Sequence, residues 1–119
     1  MVENEQVSSS TSISLVYEVE ALVKTRQSYP EQILFLSVIL QALLDATKPE
    51  QENESEDAIL SRDRAKAWFA ASIGVTAEDF QSVCDLADVD AGYTKSFAYK
   101  VLQSKEINYI RRRINTVLS

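Results

Sequence analysis

The densest apolar run in the chain lies between Pro30 and Lys48, and it constrains the fold more than any other stretch. Ile33, Leu34, Leu36, Val38, Ile39, Leu40, Leu43 and Leu44 crowd together there, with Gln41 and Asp45 as the few polar marks. At 3.6 residues per turn, this spacing puts apolar side chains around nearly the whole circumference of a helix. Such a helix is expected to be enclosed by others rather than laid on a surface, and so to form the hub of the core. Ser28-Tyr29-Pro30-Glu31 is a good start for it, because proline is preset for the first helical position and an early acid complements the helix dipole. Lys48-Pro49 ends it.

The material available to enclose that hub is helical. The 119 residues are the size of one domain, and only two glycines and two prolines leave few places for tight β-turns. The expected fold is all-α, a compact bundle of about five to six helices with a C-terminal helix-turn-helix-like unit. Residues 1–12 are polar, without apolar period, and read as a disordered arm before a single helical domain at 13–119. In residues 14–27 Leu15, Val16, Val19, Leu22 and Val23 recur at helical spacing opposite Glu18, Glu20, Lys24 and Arg26. Ile13, Leu15, Tyr17 and Val19 also alternate, which leaves a strand open over 12–19.

After the hub, residues 49–57 carry Glu50, Glu52, Glu54 and Glu56 and read as a solvated acidic loop. They contain no glycine for the sharp turn of a calcium loop, so no metal is expected there. A third helix over 58–72 is expected to face Ile59, Leu60, Ala65, Trp68 and Phe69 inward, with Arg62, Asp63, Arg64 and Lys66 toward water; Trp68 is read as a core anchor. Gly74 suits a left-handed stop, and Thr76-Ala77-Glu78-Asp79 reads as the N-cap and acidic first turn of the next helix.

That next helix opens the most informative stretch, residues 76–103. Phe80, Val83, Cys84 and Ala87 fall on one face; Val89 sits in a short turn as a buried plug, and Asp90 caps a second helix. In the second helix Tyr93, Phe97 and Val101, or Ala98 with Leu102, recur every four residues. Thr94 or Ser96, Lys95, Tyr99, Lys100 and Gln103 occupy the other side. Residues 104–118 form a last, basic helix with Ile107, Ile110, Ile114, Val117 and Leu118 as its stripe. Part of the triplet Arg111, Arg112, Arg113 must project from it.

Val83-Cys84-Asp85-Leu86-Ala87-Asp88-Val89-Asp90 resembles the helix-turn-helix pattern of apolar, small, any, any, apolar, any, apolar, cap. It departs from that pattern at Asp88, where glycine is usual, and at Thr94, a usually apolar position, which leaves the register of the second helix open by one residue. Over a longer span, Ile39-Leu40-Gln41-Ala42-Leu43-Leu44-Asp45-Ala46, Arg64-Ala65-Lys66-Ala67-Trp68-Phe69 and Asp79-Phe80-Gln81-Ser82-Val83-Cys84-Asp85-Leu86-Ala87 are together similar to small helical proteins of phages, prophages and phage-derived gene transfer agents. The resemblance implies a phage-type transcriptional regulator or DNA-handling accessory protein.

The charge is uneven. The formal net charge is -6, but residues 1–60 hold three basic and eleven acidic side chains and residues 61–119 nine basic and seven acidic. From Ala91 onward Lys95, Lys100, Lys105, Arg111, Arg112 and Arg113 face the single acid Glu106. These totals and the resemblance give the expected function: non-catalytic binding of double-stranded DNA. Lys95, Ser96, Tyr99, Lys100 and Gln103 would reach base edges and phosphates, and Lys105, Arg111, Arg112 and Arg113 the flanking backbone. The acidic first half repels phosphates, so monomer binding should be weak and helped by a homodimer or by RNA polymerase as co-anchor. The alternative is a protein–protein adaptor that docks RNA polymerase or another regulator without touching DNA. Lacking histidine, a glycine-rich phosphate loop and a cysteine paired with a base, the chain is not expected to be an enzyme or to hold a cofactor or metal. No apolar run nears the length of a membrane span and no basic-then-apolar leader is evident, so a cytoplasmic location is expected, which suits the lone Cys84.

Overall fold

Each helix boundary has a local cause. The computed structural model describes residues 29–119, in which five helices follow one another with no strand among the described residues. The expected arm and the 12–27 segment lie outside them. The first helix, α1 (Pro30–Ala46), starts with proline in its first turn and Glu31 beside it, and ends at Thr47. The Thr47 hydroxyl donates to the Leu43 carbonyl at 2.7 Å. The second, α2 (Glu56–Ala70), is capped by Ser55, whose Oγ accepts from the Ala58 amide at 3.1 Å, and has Glu56 and Asp57 in its first turn. Gly74, at φ +93°, separates α2 from α3 (Val75–Ala87). The glycine therefore has the positive φ read from the sequence, but as the N-cap of α3, which places Thr76 inside the first turn and not at the cap.

Helices α4 (Ala91–Gln103) and α5 (Ile107–Leu118) complete the chain. α1 packs against α2, α3 and α5; α4 bridges α2, α3 and α5. Leu36, Leu40, Leu43, Cys84, Val101, Ile110 and Ile114 are the largest side chains fully shut from solvent. The hub reading of α1 holds on most of its circumference. On the remaining side Leu34 is 60 % and Val38 41 % exposed, so the helix is not enclosed all round by described residues.

The buried face of α2 agrees with the expected one at Ala65 and Phe69, with Trp68 half-buried, and differs over its first turns. There Arg62 points inward, whereas Ile59 and Leu60 are exposed. The reason is a buried ion pair. Arg62 is only 4 % exposed; its Nη1 and Nη2 donate to the two Glu54 carboxylate oxygens at 2.7 and 2.8 Å, and Nη1 also reaches the Lys48 carbonyl at 3.5 Å. A bidentate guanidinium–carboxylate pair satisfies both ions well enough to occupy an inward position. Glu54 thus leaves the solvated acidic run it was assigned to and ties the α1–α2 connection to the side of α2. Glu50, 3.8 Å from Arg62, stays in water.

The ring system beside this pair holds α2 to α3. Trp68, Phe69 and Phe80 meet edge to face with centroids 4.9–5.8 Å apart. Trp68 is half-buried, and its indole N–H donates to Asp79 Oδ2 at 2.7 Å. The anchor role read from the sequence is therefore divided: its ring packs against the cluster and its edge remains polar.

Two outcomes are expected from this packing. The hydrogen bonds from Arg62 hold the Glu54 carboxyl below the ordinary carboxylate value. A carboxyl lowered on folding stabilises the protein fully above its unfolded pKa, and that contribution is lost as pH falls through the folded one. Glu54→Gln should therefore lower the melting temperature near neutrality, with the gap to wild type closing as pH falls below the ordinary glutamate value and through the lowered folded one, while Glu50→Gln changes little. Phe97, buried between α4 and the core, should cost about 3–5 kcal/mol in chemical denaturation when truncated to alanine.

Candidate functional site

The stretch from α3 through α4 has a closely determined local geometry. α3 ends with Asp88 in the left-handed conformation, at φ 57° and ψ 46°. The Val89 amide donates to the Cys84 carbonyl at 3.0 Å and the Asp88 amide to the Asp85 carbonyl at 3.1 Å. These are the two bonds of a Schellman motif, normally closed by glycine; aspartate is one of the few other residues that visits this conformation. Val89 packs against the core as expected of a plug. Asp90 then caps α4, its Oδ2 accepting from the Tyr93 amide at 2.7 Å. The order helix, three-residue turn, helix is present.

The register of α4, open in the sequence, is decided by Thr94. Thr94, Phe97, Ala98 and Val101 are buried, and Tyr93 is not. Threonine fits an apolar position because its hydroxyl donates back to the Asp90 carbonyl at 2.8 Å. Thr94 also bonds to Cys84, which burial makes harder to ionise: its thiol is pushed up to about 11, so it is a poor nucleophile at neutral pH.

The nine residues expected to meet DNA separate into two groups. Ser96, Tyr99, Lys100 and Gln103 lie exposed on the outer side of α4, with Lys105 exposed beyond it and Arg112 exposed on α5. Three of the basic residues turn inward. Lys95 donates its ammonium to the carbonyl of Ala71, the residue that ends α2, at 2.5 Å, and lies 5.7 Å from the centre of the Phe80 ring. Arg111 donates to the Leu44 carbonyl and, at 2.9 Å, to Thr47 Oγ1, both at the end of α1. Arg113 is half-buried. Lys95 and Arg111 act as cationic caps at the negative ends of two helices. On α3 and the turn, the exposed charged residues are Glu78, Asp79, Asp85, Asp88 and Asp90, all acidic.

The outer side of α4 is also one wall of a groove of about 540 Å³. Phe69 and Leu102 supply its apolar depth; Ala70 on α2 and Gly92, Ser96 and Tyr99 on α4 form its sides, with Lys66 and Lys95 at its edge. Ala70, Gly92, Ser96 and Tyr99 are exposed, so the groove opens to solvent. Lys66, Ala70 and Gly92 were not among the expected site residues. Lys66 is exposed as read from the sequence, and it and Ala70 join the cleft because the fold brings α4 alongside α2.

Among the described residues, no three histidine, cysteine or acidic side chains gather as a metal site, and no helix is long and apolar enough to cross a membrane. No protein-family model, curated protein or solved structure shows a significant match to the chain. The assignment of Lys95 as a cap has a measurable consequence. Lys95→Ala should cost about 1–2 kcal/mol in chemical denaturation, whereas Lys100→Ala, one turn on and exposed, should cost less than about 0.5 kcal/mol.

Proposed function

We propose that this chain is a non-catalytic binding module whose working surface is the α2–α4 groove, and that it acts by docking another protein. The observation that carries this reading is the groove itself, an open apolar cleft in which the outward residues of α4 take part. Apolar surface of this kind gains free energy when a protein side chain fills it, and gains nothing from a phosphodiester backbone. Tyr99, 65 % exposed at its edge, is the type of residue enriched in protein interfaces.

Electrostatics bears on the choice. Of the six basic residues after Ala91, only Lys100, Lys105 and Arg112 are exposed, and the acids of α3 and the turn lie where a DNA-binding helix-turn-helix approaches the backbone. Three phosphate contacts give little affinity at physiological salt. The second reading, a phage-type DNA-binding regulator or accessory protein, is favoured by the Schellman turn leading into a capped α4 that presents Ser96, Tyr99, Lys100 and Gln103.

Two titrations separate the readings. The anionic apolar dye anilinonaphthalene sulfonate should bind the native full chain at one saturable site, and Ala70→Trp should abolish that site by filling the groove. Dye binding unaffected by Ala70→Trp would remove the groove as the working surface. Mixed duplex DNA followed by fluorescence anisotropy should bind weakly, with a log–log salt slope no steeper than about -3 if contact is confined to Lys100, Lys105 and Arg112, the exposed cations after Ala91. Tight binding, with a slope reduced by about 2 in Lys100→Ala/Arg112→Ala, would transfer the function to DNA.

A further inference from the structure

The charge around the groove narrows the kind of partner it fits. In a chain of net charge -6, the charged residues lining this cleft are Lys66 and Lys95, with no carboxylate among them. Lys66 is exposed. Lys95 is held by the neutral carbonyl of Ala71, so its bond there leaves the positive charge uncancelled. Lys100, exposed one turn beyond Ser96, does not line the cleft but stands beside it as a third ammonium.

Exposed apolar side chains also follow the end of α2 along the chain. In the connection after Ala70, Ile73 is 87 % exposed, and Val75 at the start of α3 is 83 % exposed. A small molecule filling about 540 Å³ would leave these side chains in water. A peptide segment long enough to run past Ala70 could cover them. We infer that the groove receives an acidic amphipathic segment of a partner protein, one that inserts large apolar side chains over Phe69 and Leu102 and sets carboxylates against Lys66, Lys95 and Lys100. The inference rests on the docking reading and gives its partner a chemistry. The apolar contact supplies most of the affinity, and the lysines supply the discrimination by charge.

Three fluorescein-labelled helical peptides of about 16 residues test it against the full chain by anisotropy. They share one leucine and phenylalanine stripe and differ only in a polar face of glutamate, glutamine or lysine. The glutamate peptide should bind about tenfold more tightly than the glutamine peptide, the scale that a few exposed ion pairs provide, and the lysine peptide more weakly than either. Lys66→Glu/Lys100→Glu should reverse this order while leaving helicity unchanged by circular dichroism. Equal binding of the glutamate and glutamine peptides, lost in Ala70→Trp, would overturn the acidic partner and keep the docking surface. Failure of all three to bind, or binding indifferent to Ala70→Trp, would overturn the docking surface as well.

Discussion

A helix sunk into a core cannot leave its last carbonyls to water, and much of the structure follows from how that demand is met. α1 is the most enclosed helix, and its end is closed by its own Thr47 and by Arg111, which arrives from 67 residues away. The end of α2 is closed by Lys95 from α4. Each cation satisfies an acceptor with no partner inside its helix and lies where the aligned peptide dipoles are negative. Both contacts are long-range, so they fix α5 against α1 and α4 against α2 as well as capping. Apolar burial chooses which helices associate; these two contacts help choose the angle and register at which they do so.

The same contacts alter what the charge distribution means. A local excess of basic residues after Ala91 looks, as a string of letters, like an anionic binding surface. Folded, Lys95 and Arg111 spend their hydrogen-bonding capacity on main-chain acceptors, and Arg62 on Glu54. Groups used in this way hold the bundle together; a carbonyl does not cancel the charge of Lys95 or Arg111, but it occupies a donor that could otherwise reach a phosphate. After Ala91, Lys100, Lys105 and Arg112 are left on the outside, beside an acidic α3. Counter-ion release scales with the number of phosphates neutralised, so the three exposed cations, and not all six basic residues after Ala91, bound what this face could gain from a polyanion.

Much of the fold was legible because it depended on local signals. The apolar density of α1, proline at its start, Asp90 as a cap and Val89 as a plug each act within a few residues, and each is found in place. The misreadings share a cause. Arg62 was placed in water because an arginine is seldom buried, and only the fold brings Glu54 to it with both oxygens aligned. Once Arg62 faces inward, Ile59 and Leu60 in the first turns of α2 turn outward. Thr94 illustrates the opposite situation: its back-bond to Asp90 was a local possibility, but the sequence contained two equally periodic registers for α4. For the candidate site, the exposed residues of α4 could be named from the sequence. The cleft they border could not, since its other wall belongs to α2, and the packing of α4 against α2 is a contact distant in sequence.

That cleft follows from small side chains placed opposite one another. Gly92 and Ala70 contribute almost no volume, so α2 and α4 leave between them a space that Phe69 and Leu102 floor but do not fill. A Cβ on Gly92 would lie 3.3 Å from the Asp90 carboxylate that caps α4, so the residue that opens the groove also leaves room for the cap that starts its wall. The Schellman turn at Asp88 leads into α4, which packs against both α3 and α2, and the Lys95 contact with Ala71 ties it to the end of α2. Turn, cap and cleft are therefore one construction. Helix, turn and helix in this order set α4 against both α3 and α2, and its exposed tyrosine borders the cleft on the α2 side.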